Sequence, residues 1–107
     1  MEPRVQAPAT AVEGEIFQVK TLINHVMETG LRHDSAGHMI PRNIMKKFSC
    51  HYNGAEVFSV VLHEAMSANP YLLFHVRAAV SGDLRFVWEE DGGAVFASQS
   101  TLTVTPA

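Results

Sequence analysis

Six histidines, one cysteine and an acidic triplet are the residues of this chain whose types could do chemistry. The histidines are His25, His33, His38, His51, His63 and His75, and beside the lone Cys50 they invite a metal site. Imidazole nitrogen and thiolate sulfur are the donors that hold zinc and first-row transition metals. Spacing argues against such a set. Successive residues of an extended strand point to opposite faces, so Cys50 and His51 cannot share one ion if that stretch is a strand. His33 and His38 fall in one loop and could approach each other, but two ligands without a nearby third make a weak site. The histidines are therefore read as surface or turn residues with no metal. Cys50 is in phase with Phe48 and Tyr52, which makes it a small core side chain with a raised pKa rather than a reactive thiolate. Ser67 and Ser81 sit in no turn resembling a nucleophile elbow. Glu89-Glu90-Asp91 runs into Gly92-Gly93 and reads as a solvated hairpin tip, without the helix that a phosphate-binding loop requires. No catalytic residue and no cofactor is expected.

The elements that would position these residues are strands. Ile16 to Asn24 sets Phe17, Val19 and Ile23 on one face, an alternation interrupted at Thr21. His25 to Pro41 lacks apolar periodicity and carries Gly30, Gly37 and Pro41, so it reads as a loop with room for a short hairpin. Arg42 to Tyr52 fits either a helical face through Ile44, Met45 and Phe48 or a strand through Ile44, Phe48, Cys50 and Tyr52. The following Asn53-Gly54 decides for the strand, because this pair supplies the two positive φ values of a type I′ hairpin turn. Ala55 to Leu62 alternates again, and His63 to Pro70 is irregular. Tyr71 to Ala78 follows, then Leu84, Phe86 and Trp88, and a β-branched stretch from Val95 to Val104. With a short strand near Val5 this gives about seven strands, an all-β, immunoglobulin-like antiparallel β-sandwich.

The chain has 107 residues, 47% of them apolar and 18% charged, which suits one globular domain spanning residues 1–107. Eight Lys and Arg against eleven Asp and Glu leave a formal charge of −3, so nothing electrostatic recommends nucleic acid or an anionic membrane as partner. No apolar run has the length of a membrane span. The opening Met1-Glu2-Pro3-Arg4 lacks the basic start and apolar stretch of a signal peptide, which taken alone points to the cytoplasm. A single cysteine excludes an intrachain disulfide.

Two resemblances bear on function. Superoxide reductases hold iron with several histidines and one cysteine on an immunoglobulin-like fold, which supplies the alternative reading of a His-ligated, metal-dependent redox protein. The short Cys-to-His spacing of that family is missing after Cys50. The second resemblance is far more specific. Lys20-Thr21-Leu22-Ile23-Asn24-His25-Val26-Met27-Glu28-Thr29-Gly30, then Ile40-Pro41-Arg42, then Ser67-Ala68-Asn69-Pro70-Tyr71, closely resemble the SoxZ family of bacterial thiosulfate oxidation. The likeness runs through the Asn53-Gly54 turn, Val57-Phe58 and the Trp88 to Gly92 approach. Val26 departs from it, standing where many relatives have proline.

That resemblance implies a partner and no reaction. SoxZ proteins are the non-catalytic subunits of the SoxYZ heterodimer. The SoxY subunit carries the sulfur intermediate on a cysteine at the end of a glycine-rich arm and presents it to the other Sox enzymes. The present chain ends Leu102-Thr103-Val104-Thr105-Pro106-Ala107 without such an arm, so Cys50 is not expected to be the carrier thiol. The resemblance also implies a periplasmic location, reached by export together with a SoxY-like partner. The isolated chain is a candidate homo-oligomer.

For the docking surface the sequence offers the segment from Met27 to Ile40, long for a loop in so small a domain. It presents Met27, Leu31, Met39 and Ile40 beside Glu28, Arg32 and Asp34, a mixture of apolar anchors and polar rim suited to an interface. In the competing reading, Met39 and Ile40 fold back to cap the sandwich.

Overall fold

A computed structural model of the chain describes residues 3–23, 31, 33–40, 43–62 and 71–107. These residues form eight strands in two sheets: β1 (Arg4–Gln6), β2 (Thr10–Val12), β3 (Ile16–Leu22), β4 (Met45–Tyr52), β5 (Ala55–Val61), β6 (Tyr71–Arg77), β7 (Gly82–Glu90) and β8 (Val95–Thr105). One sheet has the order β1-β3-β6 and the other β2-β8-β7-β4-β5. The sandwich expected from alternation and turn chemistry is present, and its strands follow the period-two burial of a sheet with one dry face. In β7, Leu84, Phe86 and Trp88 are fully buried while Asp83 and Arg85 face water. In β3, Thr21 does not interrupt the inward face but continues it, buried in line with Phe17, Val19 and Ile23.

The core is aromatic at its centre. Phe48 of β4 meets Trp88 of β7 with ring centroids 5.0 Å apart, and reaches across to Phe74 of β6 at 5.7 Å. Tilted ring pairs at these distances match the edge-to-face preference of aromatic quadrupoles. The β4–β5 hairpin closes at Asn53-Gly54, whose φ values of 50° and 83° are those of the expected type I′ turn. Tyr52 pairs directly with Ala55, so the loop has only these two residues.

Three features differ from the sequence reading. An eighth strand, β2, lies in the opening segment, between the expected short strand near Val5 and the strand from Ile16, and it pairs in parallel with β8, through Thr10↔Thr103, Ala11↔Val104 and Val12↔Thr105. Only one of its three residues, Ala11, faces the core, so alternation had too little length to show. Ile23 and Ile44, expected inside the strands, lie just beyond β3, which ends at Leu22, and β4, which begins at Met45; the expected bounds Asn24 and Arg42 lie outside the described residues. The acidic triplet is not simply a solvated tip. Asp91 accepts a hydrogen bond from the Ile44 amide at 3.3 Å and donates its own amide to the Ile44 carbonyl at 3.0 Å, so it pins the entry of β4.

Candidate partner interface

Cys50 points into the core between the sheets and has no exposed surface. It stands opposite Phe58 on one side and Phe86 on the other. Burial favours the neutral thiol over the thiolate and pushes its pKa up from 9.0 to about 11. A thiol in that state is a poor nucleophile and a poor metal ligand at neutral pH.

The described histidines are dispersed. His51, next in sequence to Cys50, lies on the opposite face of β4, its Nε2 3.1 Å from Ser49 Oγ. His75 faces water from β6, and His33 and His38 are exposed in the loop before β4. His25 and His63 lie outside the described residues. Among the described residues no three His, Cys, Asp or Glu side chains come together as a metal site would require.

The loop before β4 contains the short hairpin for which the sequence left room. Asp34 organises it: Oδ1 accepts from the amides of Ala36 and His38, both at 2.9 Å, and its own amide donates to the His38 carbonyl at 2.8 Å. An aspartate that mimics a backbone turn in this way is a standard device for fixing a loop tip. Gly37 takes φ 84°, a value open to glycine, and His33 bridges to Met39 across the turn. Of the proposed interface residues, Leu31 is 80% exposed and Met39 59% exposed, while Ile40 is half-buried. Met39 therefore does not fold back to cap the core. Met27, Glu28 and Arg32 lie outside the described residues.

A second surface escaped the sequence reading. On the outer face of the three-stranded sheet the register sets Arg4, Leu22 and Tyr71 in one row and Gln6, Lys20 and Leu73 in the next. Gln18 with His75 and Ile16 with Arg77 complete the face. Ile16, Tyr71 and Leu73 are large apolar side chains left in water. The signal was available, since these are the outward positions of alternating strands, but it forms a surface only once β1, β3 and β6 are known to be neighbours. The outer face of the other sheet differs in character. It has a hollow of about 310 Å³ lined by His51, Asp83, Arg85 and Gln99, with both signs of charge, and Lys47 lies 4.0 Å from Glu56.

Residues 5–101 match the family described as sulphur oxidation protein SoxZ. The chain belongs to the SoxZ family. SoxZ proteins act in periplasmic sulfur oxidation as non-catalytic subunits of a carrier complex. No curated protein sequence matches the chain at a meaningful level. Among solved structures, the sulfur carrier protein SoxY of Chlorobium limicola f thiosulfatophilum superposes with a TM-score of 0.63 at 19% identity, covering 96% of this chain and 78% of that one. The superoxide reductase neelaredoxin of Ignicoccus hospitalis gives 0.68 at 14% identity, covering 98% and 81%. At such identities the likeness concerns the fold alone, so this SoxZ-family chain shares its sandwich with a sulfur carrier and with a redox enzyme.

Proposed function

We propose that this chain, acting as one domain, is the non-catalytic half of a SoxYZ-like heterodimer in thiosulfate oxidation. It supports the SoxY-like subunit that carries the sulfur intermediate and is exported to the periplasm with it. The observation that carries the reading is the family match over residues 5–101. The state of Cys50 supports it from the chemical side, because burial pushes its pKa up to about 11 and so disfavours the thiolate that a sulfur-bearing nucleophile needs. The carrier cysteine then belongs to the partner. The loop that exposes Leu31 and Met39 and leaves Ile40 half-buried is, together with Met27, Glu28 and Arg32 of the same sequence segment, the proposed docking surface for the partner or for a pathway enzyme.

Co-expression with the host's SoxY-like protein tests this. The expected result is a one-to-one complex that survives gel filtration. The purified chain, incubated alone with thiosulfate and cytochrome c, should transfer no electrons and contain only substoichiometric iron, copper and zinc. Turnover by the isolated chain, or failure of the pair to associate, would overturn the assignment. Arg32→Glu, Leu31→Asp and Met39→Asp should each weaken association with the SoxY-like subunit or with a pathway enzyme, leaving thermal stability within about 0.5 kcal/mol. Unchanged affinity of all three variants for every component would move the docking surface elsewhere.

A further inference from the structure

The outer face of the β1-β3-β6 sheet carries charge of one sign. The three strands hold Arg4, Lys20 and Arg77 on this face and contain no aspartate or glutamate, although the chain as a whole carries a formal charge of −3. No carboxylate pairs with these three cations among the described residues. Arg4 and Lys20 line a hollow of about 190 Å³ whose wall also includes Gln6, Leu22 and Tyr71. Ile16, Tyr71 and Leu73, each about half exposed, continue the same face as apolar surface.

We propose that this face is a second docking surface, for a protein partner that presents carboxylates around an apolar centre, with Arg4 and Lys20 as its charge contacts. The proposal rests on the functional reading above and assigns a surface within it. Charge and apolarity together select the occupant. A small oxyanion would fill the hollow between Arg4 and Lys20 but leave Ile16 and Leu73 in water. Nucleic acid and anionic lipid draw their affinity from many cations, and this face offers three on a net acidic chain. A protein surface covers the apolar rows and neutralises the cations in one contact, the arrangement of apolar core and charged rim that interfaces use. The opposite sheet face mixes the two signs, with Lys47 4.0 Å from Glu56 and opposite Glu89, and Arg85 and Asp83 lining one hollow.

The test is titration calorimetry of the full chain against the SoxY-like subunit at low and high salt. Wild-type binding should weaken as salt rises. The double variant Arg4→Glu, Lys20→Glu should weaken it at least ten-fold, and Arg77→Glu should do so to a smaller degree. Lys47→Glu, on the other sheet face, should leave it unchanged. Thermal melts confirm that each variant is folded, as expected for outward positions. If wild type binds and both reversals bind equally well, the surface assignment falls while the functional reading stands. If wild type does not bind at all, the functional reading falls and takes the assignment with it. Tight sulfate or thiosulfate binding lost in the double variant, with subunit affinity untouched, would overturn the proposal in favour of a small-anion site. Binding to phosphatidylglycerol vesicles in its place would overturn it in favour of a membrane.

Discussion

Phe58 and Phe74 stack face to face, with ring centroids 4.3 Å apart and planes 3° from parallel. One ring comes from β5 and the other from β6, the last strands of opposite sheets, so this pair closes the sandwich along one side. Phe48 tilts against both rings and joins them to Trp88.

Both rings touch the same aromatic neighbours, but Phe74 is buried and Phe58 only partly so, which should make Phe74 the costlier of the two to remove. Phe74→Ala is expected to lose about 3–5 kcal/mol in urea unfolding, and Phe58→Ala less, because its ring is already partly exposed. Equal losses would mean that the stack, rather than burial, sets the energy.

Tyr52 fastens the end of β4 to the connection between β6 and β7. Its hydroxyl donates to the Val80 carbonyl and accepts from the Ala79 amide at 3.1 Å. Tyr52→Phe keeps the ring and leaves two backbone groups without this partner, so a loss of about 1–2 kcal/mol is expected. Hydrogen exchange at the Ala79 amide should quicken in step. An unchanged exchange rate would show that the bond does not hold that segment.

Asn53 and Gly82 form a mutually dependent pair. The Asn53 side chain accepts from the Asp83 amide at 3.0 Å, and a Cβ on Gly82 would lie 1.6 Å from Asn53 Oδ1. Gly82→Ala must therefore expel that side chain, and in an Asn53→Gly background the same change should cost markedly less. A double-mutant cycle with a coupling of about 1 kcal/mol or more is the expected result. Strict additivity would show that Asn53 has another way to relax.

Much of this was legible in the sequence, and the reason is period two. Phe17, Val19, Leu84, Phe86 and Trp88 announce their strands because each sits on a sheet with one wet face, and Asn53-Gly54 announces its hairpin because few other pairs accept two positive φ values. Phase alone, through Phe48 and Tyr52, puts Cys50 on the buried side. What could not be read was proximity. Arg4, Lys20 and Tyr71 share a face only through the order β1-β3-β6, and nothing local in three distant segments encodes that order. The parallel strand β2 was missed for a related reason, since its partner is the far end of the chain.

Cys50 gives stability a distinct alkaline limit. Well below pH 9.0 the thiol is protonated in both the folded and the unfolded chain and shifts nothing. Between 9.0 and about 11 the unfolded chain releases the proton while the folded one retains it, so this thiol lowers stability by about 1.4 kcal/mol per pH unit. Cys50→Ala should cost roughly 1 kcal/mol or somewhat more at neutral pH and remove that part of the alkaline slope. It should leave reconstituted sulfur oxidation intact. An aromatic disulfide reagent should label the wild-type thiol only on unfolding. Rapid labelling of the native chain, or lost oxidation with folding preserved, would return Cys50 to the chemistry.

The parallel ladder between β2 and β8 also sets how the chain answers to mechanical load. Two strands that run the same way, one near each end of the chain, are drawn in opposite directions along their common axis when the ends are pulled apart. Its three paired positions, with the Thr103 amide on the Ala9 carbonyl and the Glu13 amide on the Thr105 carbonyl, each at 2.8 Å, must then slide past one another together. A hairpin under tension opens one bond at a time, whereas this geometry meets force in shear. A short strand with one core-facing residue thus becomes a clasp that tension between the two ends, once β1 has come away from β3, must break in shear.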